Sequence, residues 1–431
     1  MKGDRIAASG NLQPRTACRV WRAGVRLADL EFLPQFPLNA NPLALFGVLL
    51  LAGALAGELV RRVLNLPRIT GYVLIGLTLG AGGLDVLDTR MLRYTRVFMD
   101  IGLGLVLFEL GRRINFAWLL RDRWLAAMAL AESMLSFGCM FAALVWMDVE
   151  PLYAAVAAAI GVSSSPAIVL LVARELKAEG QVTERALNLV AINSVVAFVL
   201  ATMLLSWIHR EYSAGWLVMV LHPLYLLAGS WLAGLIVSLL ALQFAGWLGK
   251  RMELHAALLL GAVVLLVGAA EALKLSILLS LLTFGVLIGN LDREHKLMPV
   301  DVGRFSHIFF VVLFVASGAL LQIGDLMAGG AFAALYIGAR FIGKSAGILA
   351  FAHLSGIRTR SGGLLSIALL PMSGIVFAVT QTAGGLYPGF SAKLSSVVLA
   401  AAVILELAGP LAVQFALRRA GEAQEDESTA P

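Results

Sequence analysis

Charge is scarce in this sequence: of its 431 residues only 14% are Asp, Glu, Lys or Arg, while 60% are hydrophobic. At a mean hydropathy of +0.88 such a chain does not close into a water-soluble globule, and lipid is the solvent its composition implies. Cysteine is nearly missing. Cys18 lies in a polar N-terminal stretch and Cys139 in an apolar run, which excludes a disulfide framework and a thiolate metal site. His209, His222, His255, His295, His307 and His353 show no paired ligand spacing. Residues 163–165 are three serines with no evident base, and the many glycines read as helix-packing residues in lipid rather than as a phosphate loop. No enzyme and no cofactor is therefore expected. The net charge of +6 would suit a nucleic-acid binder in a soluble chain, but most Lys and Arg here fall in short loops between apolar spans, where they act as topology signals.

What is present in abundance is apolar sequence long enough to cross about 30 Å of hydrocarbon, which takes roughly 17 to 25 residues per helix. Thirteen spans follow, at 43–61, 69–87, 94–111, 124–147, 151–174, 186–208, 216–247, 255–273, 275–290, 305–323, 330–354, 361–386 and 392–417. The seventh is over-long, so tilted or split, and the ninth is short enough to be re-entrant or to join its neighbour. With the N-terminus outside, nineteen Lys and Arg fall on inside segments and six on outside loops. That asymmetry places the C-terminus in the cytoplasm and the chain, as a multi-pass protein, in a cell membrane. The basic tail 1–42 opposes this orientation and reads as interfacial or disordered; it lacks the compact apolar core and cleavage site of a signal peptide. Residues 43–418 form one transmembrane domain, and 419–431 is expected to be a disordered acidic tail.

Two spans are interrupted. The fifth contains Gly161, Ser163, Ser164, Ser165 and Pro166, and the twelfth contains Pro371, Met372, Ser373 and Gly374. Proline removes a donor and clashes with the preceding turn, and serine hydroxyls can satisfy the carbonyls it frees. Seven spans separate the breaks, so the two segments run in opposite directions. Spans 4 to 6 and 11 to 13, residues 124–208 and 330–417, then form a pair of inverted triplets whose broken helices cross near the midplane, the usual place for a transport site. The expected fold is all-α, with about thirteen transmembrane helices and two crossing discontinuous ones.

Arg340 and Lys344 sit one helical turn apart in the eleventh span. A charge at that depth costs about 2.5 to 3.5 kcal/mol on insertion scales and needs a partner. Exposed carbonyl ends of broken helices carry partial negative charge, which these cations are placed to compensate. Glu58 and Glu109 lie near arginine pairs 61/62 and 112/113 and read as surface pairs. Glu132, Glu271 and Glu406 lie deeper, each open to a structural ion pair or a transport role.

These residues resemble a family, the cation:proton antiporters of the sodium/proton exchanger superfamily, above all the bacterial branch with the Kef-type potassium-efflux proteins. The run from Leu66 through Pro67, Arg68 and Gly71 to Gly76 is similar to the family's second-helix signature, and Leu107 to Gly111 to its third. Ser163 to Ala167 with Arg174, Glu175 and Gly180 resembles the first broken helix and its cytoplasmic turn. Phe309, Phe310 and Ser317-Gly318 match a phenylalanine-rich helix, and Gly343-Lys344 the intramembrane lysine, with Arg340 close to the arginine used by related exchangers. The break at Pro371 to Gly374 and the run Glu406 to Pro410 complete the series. The resemblance spans residues 43 to 418. It implies a monovalent cation and protons as partners, a homodimer through a panel domain, and a core that moves by an elevator-like step. With no nucleotide fingerprint after Arg419, ligand gating is not expected.

One position departs from the family pattern. The resemblance implies an aspartate on the sixth span, and this chain has Asn193-Ser194. Serine does not titrate near neutrality. Its hydroxyl, the Asn193 amide and the carbonyls of the fifth span can still coordinate an alkali cation, because hard cations accept neutral oxygens. The inverted repeat makes Glu406 the counterpart of positions 193 and 194, so Glu406 is expected to supply the carboxylate, with Lys344 as charge partner and Glu132 in reserve. Desolvation pulls a buried carboxylate toward the acid and a nearby ammonium toward the anion, which suits proton exchange. The expected binding set is Ser163, Ser164, Ser165, Asn193, Ser194, Ser373 and Glu406, with an alkali cation at Asn193, Ser194 and Glu406. The competing expectation keeps the fold and makes it a carrier of anions or organic solutes, or a non-transporting sensor.

Overall fold

A computed structural model describes residues 41–87, 89–114, 122–212, 216–249, 251–292, 297, 302–372 and 392–424. Among them every regular element is a helix: Pro42–Leu64 (α1), Arg68–Leu79 (α2), Thr89–Arg113 (α3), Arg123–Trp146 (α4), Pro151–Val162 (α5), Pro166–Glu175 (α6), Gln181–Tyr212 (α7), Trp216–Leu248 (α8), Met252–Ala272 (α9), Ile277–Leu291 (α10), Val302–Ala319 (α11), Ile323–Ala352 (α12), Thr359–Ala368 (α13) and Ala392–Ala420 (α14). Seven of them are long and apolar enough to cross a membrane, and α2, α5, α10 and α11 are shorter apolar helices. Each of the thirteen expected spans has its helix, the fifth divided into α5 and α6, and the twelfth represented by α13 up to its break. The long seventh span is one helix, α8, carried through Pro223. The short ninth is a helix of its own, α10.

Local signals set several ends. Asp122 caps α4 by accepting from Leu125 N (3.1 Å) and Ser276 caps α10 by accepting from Leu279 N (3.2 Å), each satisfying a backbone donor that the first helical turn leaves open. Gly330, at φ 46°, kinks α12, so its straight part starts where the eleventh span was placed.

Packing sorts the helices into two sets. In one, α4 lies along α12, α12 along α14, and α5 between α4 and α7; in the other, α10 packs on α3 and α8, and α11 on α2, α3 and α1. Lipid offers no hydrophobic drive between helices, so close backbone approach does the work. An added methyl at Gly285 of α10 would strike the Phe108 carbonyl of α3.

The end carrying most arginines is tied by ion pairs between elements. Glu175, closing α6, accepts from Arg61 (2.7 Å) and from the backbone N of Arg68 at the start of α2 (3.0 Å). Glu58 pairs with Arg62 (2.6 Å), as expected, and also with Arg68 (3.1 Å). Glu109, which lies next to Arg112 and Arg113 on α3, also pairs across elements with Arg174 of α6, which packs on α3. The expected depth of Glu271 is corrected, since it lies exposed in the last turn of α9. Of the expected tail 419–431, the part beyond 424 lies outside the described residues. Up to there the chain is docked, with Glu422 accepting from Val182 N and Thr183 N, both at 2.8 Å, and from Thr183 Oγ1 at 2.7 Å.

Candidate functional site

The fifth span breaks where its sequence says it should. α5 ends at Val162, Ser163 and Ser165 are extended, and Pro166 opens α6. Proline fits there because the first helical position needs no donor. Ser165 caps the new helix, its Oγ accepting from Ile168 N at 3.4 Å. The twelfth span breaks after Ala368, and the two extended pieces meet in an antiparallel bridge between Ser164 and Met372. Ser165 N donates to Pro371 O (2.9 Å), and Ser164 Oγ to Leu369 O (2.8 Å). Ser373 lies outside the described residues.

Two helix C-termini, those of α5 and α13, thus point carbonyls at one another inside the fold. Unpaired, each would cost about 1 to 3 kcal/mol. Arg340 of α12, with no exposed surface, answers them: Nε donates to Gly161 O (2.7 Å), Nη1 to Leu370 O (2.7 Å) and Nη2 to Ser163 O (3.0 Å). The fixed fork of a guanidinium suits several carbonyls at once in a way an ammonium does not. Tyr336, one turn earlier, donates to Ala157 O (2.8 Å), and Lys344, one turn later, donates to Val162 O (2.9 Å). Residues 336, 340 and 344 therefore form one polar stripe down α12. Its i, i+4 spacing was legible in the sequence, although Tyr336 was not singled out there.

Lys344 has a second partner. Its Nζ pairs with Glu132 of α4, both side chains being fully buried. The expected pairing of Lys344 with Glu406 is corrected: Gly343 and Gly347 let α12 approach α4 so closely that a methyl at either would strike the backbone around Glu132 and Leu135, and that approach brings Glu132 to the ammonium. Glu132 also accepts from Asn193 Nδ2 (3.3 Å) through Oε1 and from Ser133 Oγ (3.0 Å) through Oε2.

Asn193 and Ser194 enter from α7. The Asn193 carbonyl accepts from Ser164 N (3.2 Å), its amide also reaches Ser164 Oγ (3.3 Å), and Ser194 Oγ lies 3.5 Å from Ser163 Oγ while donating to Val190 O (2.7 Å). Ser163, Ser164, Asn193, Ser194, Glu132, Arg340 and Lys344 are brought into one buried cluster. Glu406 is not part of it. It is 3% exposed and lies on α14 one turn before Gly409, which packs against Pro371. It thus flanks the second break, with no hydrogen bond or ion pair among the described residues.

The arrangement supplies one carboxylate, neutral oxygens from an amide and three hydroxyls, and two cations committed to protein partners. Oxygens of these kinds are ligands that hard cations accept.

The sequence profile described as "Sodium/hydrogen exchanger, transmembrane" matches residues 47–419. No curated protein matches the chain in sequence. Among solved structures it is similar to the sodium proton antiporter MjNhaP1 from Methanocaldococcus jannaschii at pH 8, with a TM-score of 0.67 and 15% identity over 88% of this chain and 97% of that one. An electron-microscopy structure of the same antiporter gives a TM-score of 0.68 at 15% identity, over 89% and 99% of the two chains. At that identity the likeness concerns the fold.

Proposed function

Because this chain belongs to the sodium/hydrogen exchanger family, we propose that it is a secondary transporter exchanging a monovalent alkali cation, Na⁺ or K⁺, for protons where its two discontinuous spans cross. The observation that carries this reading is the fully buried Glu132–Lys344 pair beside Asn193 and Ser164. Residue 194 offers no carboxylate, and Glu132 stands in for it from the neighbouring helix.

In a dry site one carboxylate does not hold an ammonium and an alkali cation together, because like charges at contact repel strongly at low dielectric. The cation enters at Glu132, with the Asn193 carbonyl and the hydroxyls of Ser163, Ser164 and Ser194 as further ligands. Lys344 is displaced, gives up its proton to the water on the side from which the cation enters, and remains as a neutral amine. Reprotonation of Lys344 restores the pair and releases the cation, so occupancy by one partner excludes the other. Arg340 keeps the crossing assembled throughout. Ser165 and Glu406 border the path, with Glu406 as a second carboxylate that the cation passes.

The exchanger works as a homodimer in a bacterial inner membrane, with its arginine-rich end and C-terminus in the cytoplasm. An anion carrier is the weaker reading, since Arg340 is committed to backbone carbonyls and the charge of Lys344 is already met by Glu132. The test is pH-gradient-driven Na⁺ and K⁺ exchange in proteoliposomes. Glu132→Gln is expected to abolish it and Glu406→Gln to leave a measurable part. Full exchange by the Glu132→Gln protein would refute the assignment, and a response to organic anions alone would refute cation exchange.

A further inference from the structure

Between them α12, α13 and α14 leave a groove of about 710 Å³, within the range of small-molecule sites. Its chemistry is divided by depth. Arg360, in the first turn of α13, and Arg419, in the last turn of α14, stand at the arginine-rich end; Leu349, Ile367 and Phe415 line the wall below them. Both arginines are exposed, and neither has an ion-pair or hydrogen-bond partner among the described residues. By contrast Arg61, Arg62, Arg68, Arg113, Arg174 and Arg185 at this end each face a carboxylate; Arg358 and Arg418 form no ion pair among the described residues but do not line the groove. Deeper in the groove Ser345 Oγ is buried with no hydrogen-bond partner. The first turn of α13 carries no side-chain cap, so its helix dipole adds positive potential beside Arg360.

We propose that this groove binds an anionic phospholipid, its phosphate between Arg360 and Arg419 and an acyl chain along Leu349, Ile367 and Phe415. Charge complementarity selects the occupant. Two unpaired guanidiniums at headgroup level match a phosphate, whereas a second protein helix would have to bring acidic residues to the same height. From Arg360 to Ile367 the groove runs about 10 Å along α13, a length that takes the upper part of an acyl chain and keeps the phosphate at the rim. The bound lipid joins α13, the first half of the second broken span, to α12 and α14. It stabilises the crossing through binding to the folded state alone. This inference is independent of which ion is exchanged.

The test uses the full chain purified in detergent, with thermal unfolding followed on adding phosphatidylglycerol, phosphatidylcholine or inorganic phosphate. Phosphatidylglycerol is expected to raise the midpoint beyond phosphatidylcholine, and inorganic phosphate to give no comparable shift. In Arg360→Gln/Arg419→Gln the apparent affinity for phosphatidylglycerol is expected to fall about thirty-fold, with the midpoint in phosphatidylcholine unchanged. Arg360→Lys/Arg419→Lys should keep much of the preference, and Ile367→Trp, which fills the groove while leaving both arginines, should lose it. Equal shifts by the two lipids in the wild type, an unchanged affinity in the double Gln variant, or a full shift from phosphate alone would each overturn the proposal. Should a variant fail to fold, native mass spectrometry of the wild type decides: selective retention of phosphatidylglycerol supports the site, and equal retention of phosphatidylcholine refutes it.

Discussion

Lys344 of α12 and Glu132 of α4 form an ion pair from which solvent is wholly excluded. Removing one member of such a pair leaves an uncompensated charge and costs about 3 to 5 kcal/mol, whereas replacing both with apolar groups of similar size is often neutral. Lys344→Ala is expected to lower stability by that amount, and Lys344→Met/Glu132→Leu to recover most of it without recovering exchange. Thermal unfolding alongside proteoliposome transport separates the two effects. A double variant as unstable as Lys344→Ala would show that the pair is not the source of the loss.

Arg340 ties Gly161, Ser163 and Leu370 with one guanidinium. Arg340→Lys keeps the charge and loses the fork, so at least one carbonyl is left open at about 1 to 3 kcal/mol. The expected outcome is a protein that inserts but unfolds at lower temperature and exchanges ions slowly. Wild-type rates in Arg340→Lys would mean that charge alone holds the crossing.

Gly343 and Gly347 set the distance between α12 and α4. Gly347→Ala puts a methyl against the Glu132 backbone, and overpacking of that kind costs about 1 to 3 kcal/mol. Because the displaced helix carries Lys344, the cation concentration for half-maximal exchange should change along with stability. Gly338→Ala, with open space around an added methyl, is the control and should change neither.

Glu422 caps α7 from the far end of the chain, accepting from Val182 N and Thr183 N. Loss of an N-cap costs about 0.5 to 2 kcal/mol, so Glu422→Ala should lower the unfolding midpoint and raise amide exchange at residues 182 and 183. Unchanged exchange there would show that the first turn of α7 is held by other contacts.

Much of the architecture was legible in the sequence because the bilayer enforces it: hydrocarbon thickness fixes span length, and a proline preceded by serines marks where a backbone is broken and how its carbonyls are answered. Arg340 and Lys344 could be placed against those carbonyls for the same reason, since a cation at that depth needs a partner. The choice among acids was not legible. Glu132, Glu271 and Glu406 all looked alike as carboxylates in apolar runs, yet one pairs with Lys344, one is exposed, and one flanks the second break. Asp100, in the middle of α3, faces Arg96 one turn earlier at 3.8 Å.

The sequence by itself determined that this chain spans a membrane many times, that two of its spans are interrupted in opposite directions, and that two cations lie at their depth, because each is a property of local composition and spacing in a low-dielectric solvent. Which carboxylate meets Lys344, which arginine meets Glu109, and that Glu422 closes a helix some 240 residues upstream were decided by tertiary structure alone. Those choices depend on how closely one helix can approach another, and the glycines that permit the approach reveal their partners only when the helices are packed.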